Sequence, residues 1–196
     1  VVDICLEGVL EAEPAVAAGA PVAAGRYLDA ASGEVATVSE ADGGVKLEKL
    51  GTTLNFRPDG QGGFVDGWAH FLARLRVTAA GALELAFGGQ AGVFTPVAPY
   101  VPADVAACLG IYRNAEMRSE VEILRRGDGV VLRLGPAFHR EAELAMEPIA
   151  EDVWLAVQTR PWGNAQYAVR VQRHAGAVEA VLLSSDRLKD ARFARL

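Results

Sequence analysis

Lysine is scarce in this chain: Lys46, Lys49 and Lys189 are the whole complement in 196 residues. With 19 basic against 25 acidic residues and a net charge of −6, there is no basic stripe to meet a phosphate backbone. A nucleic-acid partner is therefore not expected. Long apolar runs are missing too. No stretch approaches the ~20 apolar residues of a bilayer-spanning helix, so no membrane partner is expected either. Cysteine is limited to Cys5 and Cys108, far apart in apolar surroundings, without a Cys-x-x-Cys or Cys/His spacing. That argues against a disulfide or a structural metal and fits two buried thiols in a reducing cytoplasm. His70, His139 and His174 stand alone, none two or four residues from another, so no metal site is expected. The five serines, Ser32, Ser39, Ser119, Ser184 and Ser185, sit in no Gly-x-Ser-x-Gly and have no lysine three residues on, which removes the common signs of a nucleophile. The glycine clusters Gly43-Gly44 and Gly60 to Gly67 lack the lysine and helix start of a phosphate cradle. They read as hairpin turns, and no cofactor is expected.

What the chain does have is a repeat. Gly25-Arg26-Tyr27 is answered by Gly110-Ile111-Tyr112, an offset of 110 − 25 = 85 residues. At the same offset Gly44-Val45-Lys46-Leu47 meets Gly129-Val130-Val131-Leu132, and the turn Asp42-Gly43 meets Gly127-Asp128. Shared turns and shared apolar positions imply two copies of one β-unit. A hydrophobic content of 51% suffices for two small cores.

Between the turns the period is two. Val45 and Leu47 oppose Lys46 and Glu48. Leu54 and Phe56 continue the pattern. Phe71, Ala73, Leu75 and Val77 alternate with His70, Leu72, Arg74 and Arg76, and Leu83, Leu85 and Phe87 follow. In the second half Val121 and Ile123 alternate with Glu120 and Glu122, and Val130, Leu132 and Leu134 share a face. Ala142, Leu144 and Met146 oppose Glu141 and Glu143, and Tyr167, Val169 and Val171 share another face. Val153 to Val157 is a continuous apolar run, and Val178, Ala180 and Leu182 lead to a last strand near Arg192 to Leu196. Many short strands at 8–12-residue spacing predict an all-β fold: two consecutive small antiparallel up-and-down, lipocalin-like β-barrels. Closure would remove the aggregation-prone edges, and bulky inward residues would fill each interior. The expected organisation is a short N-terminal helix and linker over residues 1–20, a first barrel over 21–101 and a second over 102–196. A short helix over Pro102 to Leu109 would open the second barrel. The chain begins at Val1 rather than methionine, and the apolar Val1 to Leu10 ahead of an Ala/Pro/Gly-rich stretch reads as the last helix of a preceding domain.

Candidate chemistry is thin. Glu120 with Glu122 and Glu141 with Glu143 point outward by alternation and read as solvated pairs, not as a proton-sharing acid–base dyad. Arg160-Pro161-Trp162-Gly163-Asn164 separates two strands and places a tryptophan on a tip. Its ring either folds back over the barrel mouth or docks into a partner, and Phe138-His139 after Gly135-Pro136 is a second stretch of this kind. Leu72 and Val181 are the outward apolar residues of a wall that could dimerise.

Tyr112-Arg113-Asn114 matches the Tyr-x-Asn element of penicillin-recognising enzymes, but no Ser-x-x-Lys or Lys-Thr-Gly accompanies it. The tyrosine's repeat partner, Tyr27, marks it as a strand-start residue whose ring plugs a barrel end. The sequence around it carries a wider resemblance. Gly110-Ile111-Tyr112-Arg113-Asn114-Ala115-Glu116, the strand Glu120 to Ile123, Gly129-Val130-Val131-Leu132-Arg133 and Asp152-Val153-Trp154-Leu155 together resemble the C-terminal barrel of bacterial D-aminopeptidases. The first half resembles their middle barrel. These enzymes are serine hydrolases related to penicillin-binding proteins and class C β-lactamases, with the nucleophile in an N-terminal domain. The resemblance implies that residues 20–196 are non-catalytic accessory barrels whose partner is an upstream catalytic domain of the same chain. It also implies that Arg160 to Asn164 is a loop selecting substrates with a free D-amino terminus. No catalytic residue of the family has a matching position here. Three other readings compete: a small-ligand carrier, which needs an unfilled interior; a structural or homodimerising module; and an independent enzyme, the weakest of the three. High Ala, Gly and Arg content beside few lysines suggests a GC-rich bacterial genome.

Overall fold

The computed structural model describes residues 21–66, 72–135, 138, 142–158 and 165–196. The N-terminal helix expected at residues 1–10 lies outside them. Strands β1 (Gly25–Asp29), β2 (Glu34–Ala41), β3 (Gly44–Lys49) and β4 (Thr52–Pro58) meander into β5 (Phe64–Asp66), β6 (Ala73–Val77), β7 (Leu83–Phe87) and β8 (Gln90–Val97). β8 then returns to β1, pairing Thr95 with Leu28 and Val97 with Arg26, and closes an antiparallel eight-stranded barrel. A second barrel follows with the same order. It comprises β9 (Gly110–Asn114), β10 (Ser119–Arg126), β11 (Gly129–Leu134), β12 (Ala142–Ala150), β13 (Val153–Gln158), β14 (Ala165–His174), β15 (Ala177–Ser184) and β16 (Ala191–Arg195). Ala194 pairs with Arg113 and Arg195 with Tyr112 to close it. Consecutive strands pair along each meander, and closure joins the first strand of each barrel to its last. Among the described residues no helix is long and apolar enough to cross a membrane.

Alternation decides which residues fill the barrels. Tyr27, Leu47, Phe56, Leu75, Leu83 and Phe94 meet inside the first. Tyr112, Ile123, Leu132, Leu144, Trp154 and Phe193 meet inside the second. Each of these is at most 6% exposed, so these side chains pack as two hydrophobic cores. Among the described residues a phase error falls on Val181. It lies wholly buried in the second core, not on an outer wall. Arg173 pairs with Val178 and Gln172 with Ala180, so a bulge at Glu179 adds one residue to β15 and shifts its alternation. Leu72 is 61% exposed, as expected.

The expected helix before the second barrel is a single 3-10 turn, Ala106–Cys108. The chain becomes extended at Leu109, because it must deliver Tyr112 into the barrel end three residues later. There the Tyr112 hydroxyl donates to the Cys108 carbonyl at 2.6 Å. Tyr27 does the same in the first barrel, donating to Ala23 O at 2.8 Å. The repeat thus encodes a tyrosine plug that bonds four residues back.

The two barrels pack wall to wall. Leu28 and Val35, outward on β1 and β2, meet Ile149, Val153 and Leu155, outward on β12 and β13. All five are at most 8% exposed. This contact accounts for the unbroken apolar run Val153 to Val157: Trp154 and Ala156 face the second core while Val153, Leu155 and Val157 face the first barrel.

Candidate functional site: the seam and the mouth of the first barrel

Polar contacts frame the apolar seam. Arg26 reaches Glu147 at 2.6 Å. Arg170 lies across the β1–β2 turn, donating to Ala31 O at 3.1 Å and to Asp190 at 2.8 Å. The turn accommodates it only as glycine. A Cβ on Gly33 would stand 2.6 Å from the Arg170 Cδ, and its φ is +71°. At the next hairpin, Gly51 N donates to Gln166 Oε1 at 3.3 Å. That hairpin turns on Leu50 and Gly51, with φ of 50° and 86°. A leucine in the left-handed region costs about 1–2 kcal/mol. Leu50 is only 6% exposed, so its burial offsets that strain.

Arg160, Pro161, Trp162, Gly163 and Asn164 lie outside the described residues. Their flanks are defined. Gln158 pairs with Ala165 as the last rung of β13 and β14, and the adjacent Gln166 makes the bond to Gly51. The base of that hairpin therefore stands at the seam. Phe138 does not protrude. It stacks on Phe193 and meets Tyr167 edge-on, both with ring centroids 6.2 Å apart, so it closes the second barrel's end. His70 and His139 lie outside the described residues, and His174 is exposed at the end of β14.

The mouth of the first barrel holds charge. Inward alternation runs Val45, Leu47, Lys49 along β3 and Val38, Ala36, Glu34 along β2, so a cation and an anion both point into the barrel end. Lys49 Nζ meets Glu34 Oε2 at 2.5 Å and lies 5.7 Å from the Phe94 ring centroid. Burial requires such pairing, since an isolated charge would be desolvated without compensation. Beside them Asp29 accepts from Ala31 N and Ser32 Oγ, both at 3.0 Å. Ser32 Oγ in turn accepts from Glu34 N at 3.2 Å. The hydroxyl is thus a turn element, donating to Asp29 and accepting from Glu34 N. A cavity of about 300 Å³ opens here, reaching from Glu34, Lys49 and Phe94 to Lys189 and Asp190 of the second barrel. Past Asp29 and Gly92 lies an outer groove of about 650 Å³ with Arg74, Arg76 and Glu84.

The remaining sequence candidates have structural occupations. Asn114 Nδ2 donates to Arg192 O at 3.0 Å and its Oδ1 accepts from Met117 N at 2.8 Å, so the Tyr-x-Asn element ties the ends of β9. Arg195 donates to Ala107 O and Leu109 O, each at 2.8 Å, and faces the Tyr112 ring at 5.9 Å. Burial pushes the Tyr112 hydroxyl up to about 12, against which Arg195 acts weakly. Burial also raises the Cys108 thiol, the opposite of what a reactive cysteine needs. The outward carboxylates are ion-paired: Glu122 to Arg133 at 2.6 Å, and Glu143 to Arg126 at 2.8 Å and to Arg133 at 2.9 Å. Hydrogen bonds from these two arginines hold Glu143 down at about 2. Glu141 lies outside the described residues. Among the described residues no three His, Cys, Asp or Glu side chains converge on a metal position. Sequence reasoning missed the Glu34–Lys49 mouth, although Lys49 continues the inward phase of Val45 and Leu47, and two of the chain's three lysines line this one cavity.

No protein-family model matches the chain, and no curated protein matches it.

Proposed function

We propose that the double barrel is a non-catalytic accessory module of a D-aminopeptidase-like serine peptidase, shaping the active site of an upstream catalytic domain that releases N-terminal D-amino acids. The observation that carries the reading is the seam. Five buried apolar side chains, each worth roughly 1.5–3 kcal/mol on burial, join two filled barrels wall to wall. At that seam end β13 and β14, the strands that flank residues 159–164, and Gln166 at the start of β14 is tied across the barrels to Gly51. A loop that selects a substrate must be held by a rigid support, because small misplacements cost large factors in rate. A filled, closed barrel is such a support. The free, buried Cys108 thiol accords with a cytoplasmic setting, which belongs to the same proposal.

The test is hydrolysis of D-alanine p-nitroanilide by the 196-residue chain, alone and mixed with a separately produced D-aminopeptidase catalytic domain of known activity. The expected result is silence alone and a changed rate or D-residue preference in the mixture, weakened by Trp162→Gly. Hydrolysis by the chain itself would mean an active site within the barrels. Silence with an unchanged partner would remove the accessory role.

A further inference from the structure

We propose that the cavity at the mouth of the first barrel binds a small zwitterion of α-amino-acid size, its carboxylate held by Lys49 and Lys189 and its ammonium by Asp29 and Glu34. The proposal stands on this cavity and is independent of the accessory reading. A volume of about 300 Å³ lies at the lower bound for small-ligand sites, roughly 300–1,000 Å³.

The charges balance. Asp29, Glu34 and Asp190 face Lys49 and Lys189 around one cavity, and Asp190 is neutralised from outside by Arg170 at 2.8 Å. Two carboxylates and two ammoniums remain, so a ligand of net zero charge disturbs the balance least. A simple anion or cation would leave one sign uncompensated in a partly desolvated space.

The unused hydrogen-bonding capacity has the same two-sided character. A carboxylate offers about four acceptor positions and an ammonium three donors. Asp29 has used two acceptor positions, on Ala31 N and Ser32 Oγ. Glu34 has committed Oε2 to Lys49, and among the described residues no donor meets its Oε1. Lys49 has spent one of its donors on Glu34. Lys189, on the opposite lip, holds no carboxylate among the described residues. The acceptors left over lie on the β1–β2 side, and the donors left over belong to Lys49 and Lys189. Leu85, Phe87 and Phe94 supply an apolar wall against which a ligand side chain can lie.

The experiment is amide NMR of the intact chain, titrated separately with glycine, leucine and phenylalanine, and with N-acetyl-leucine and leucinamide. N-acetyl-leucine lacks the ammonium and leucinamide lacks the carboxylate. Expected are saturable shifts of Ser32, Gln90 and Gly92 with at least one free amino acid, and binding about tenfold weaker or worse when either charge is removed. Lys189→Ala, an exposed position, should weaken binding several-fold while leaving the spectrum of the second barrel's core unchanged. Lys189→Arg should restore it. The proposal fails if none of the three amino acids gives a saturable shift at these residues. It fails equally if either blocked leucine binds as well as leucine, or if Lys189→Ala is without effect.

Discussion

Tyr112→Phe removes one oxygen from the centre of the second barrel's plug, and its consequences can be worked out at two pH values. Tyr112 is fully buried, and its hydroxyl is the donor to Cys108 O at 2.6 Å. The phenylalanine ring keeps the packing but strands that carbonyl. Leaving a buried acceptor unpaired costs about 1–3 kcal/mol, so at pH 7 the variant should unfold that much more easily in urea. The repeat partner Tyr27 is also buried, but its bond to Ala23 O at 2.8 Å is only partly shielded from water, so Tyr27→Phe should give a smaller loss, about 0.5–1.5 kcal/mol. Alkali narrows the gap between wild type and Tyr112→Phe. The Tyr112 hydroxyl stays protonated in the folded chain up to about 12, against an ordinary value of 10.0. Between those values the unfolded chain has lost this proton and the folded chain has kept it, so stability falls as pH rises. At 1.36 kcal/mol per unit, the loss by pH 12 is about 2–3 kcal/mol. The variant has no such proton to lose. The wild-type and Tyr112→Phe stabilities, measured by urea titration of the circular dichroism from pH 7 to 12, should therefore converge above pH 10, the gap closing by about 1.4 kcal/mol for each pH unit up to pH 12. A constant gap across that range would refute the burial argument. A Tyr27→Phe loss larger than that of Tyr112→Phe would refute the ranking of the two plugs.

The repeat supplies a second test, in which two equivalent glycines behave differently. A Cβ on Gly44 would stand 2.0 Å from the Phe56 carbonyl oxygen, whereas one on Gly129 meets nothing closer than Arg126 O at 3.7 Å. Gly44→Ala should cost about 1–3 kcal/mol or more in thermal or urea unfolding, while Gly129→Ala should be neutral or stabilise by up to about 1 kcal/mol. The acid limb gives a third. Glu143 should titrate near 2 in carboxyl-carbon NMR and return to the ordinary glutamate range in the Arg126→Ala/Arg133→Ala double variant. Because its folded value lies below the ordinary 4.5, its contribution is present above pH 4.5 and fades as pH falls toward 2. Glu143→Gln should remove that part of the acid sensitivity.

The barrels were legible because inward residues alternate with outward ones and because the turns repeat. Val130, Leu132 and Leu134 read as one face and lie in one core. So do Leu83 and Leu85 in the first barrel. What alternation cannot carry is a surface buried by another surface. Leu28 and Val35 sit on outward positions and look, in sequence, like ordinary residues of a wall. Val153 to Val157 stood out as an apolar run, but its second buried face belongs to the other barrel, about 120 residues away in the chain at Val35. Val181 was misplaced for a different reason: a bulge shifts the phase without a local marker, since Glu179 is an unremarkable strand residue. The mouth cavity was within reach. Glu34 and Lys49 fall on inward positions, and a charge at an inward position is a signal whenever a strand end is near.

The seam also explains why two copies of one unit do not pack symmetrically. The offset of 85 holds through three strands: 25 to 110, 34 to 119 and 44 to 129. It then slips to 142 − 52 = 90, and the later strands lengthen, β14 having 10 residues where β6 has 5. The faithful half of the first copy therefore packs against the lengthened half of the second, a contact between unlike surfaces. Such heterologous contacts propagate when the same surface is free on the far side. Here it is not. At the offset of 85 the seam residues Leu28 and Val35 correspond to Arg113 and Glu120, which face each other at 3.6 Å with half of each side chain exposed. An apolar contact in the first copy has become a solvated ion pair in the second. A third barrel docking there would have to desolvate both charges, at a cost of several kcal/mol per ion. Two differences at equivalent positions thus leave the second barrel without the apolar surface by which the first barrel joins it.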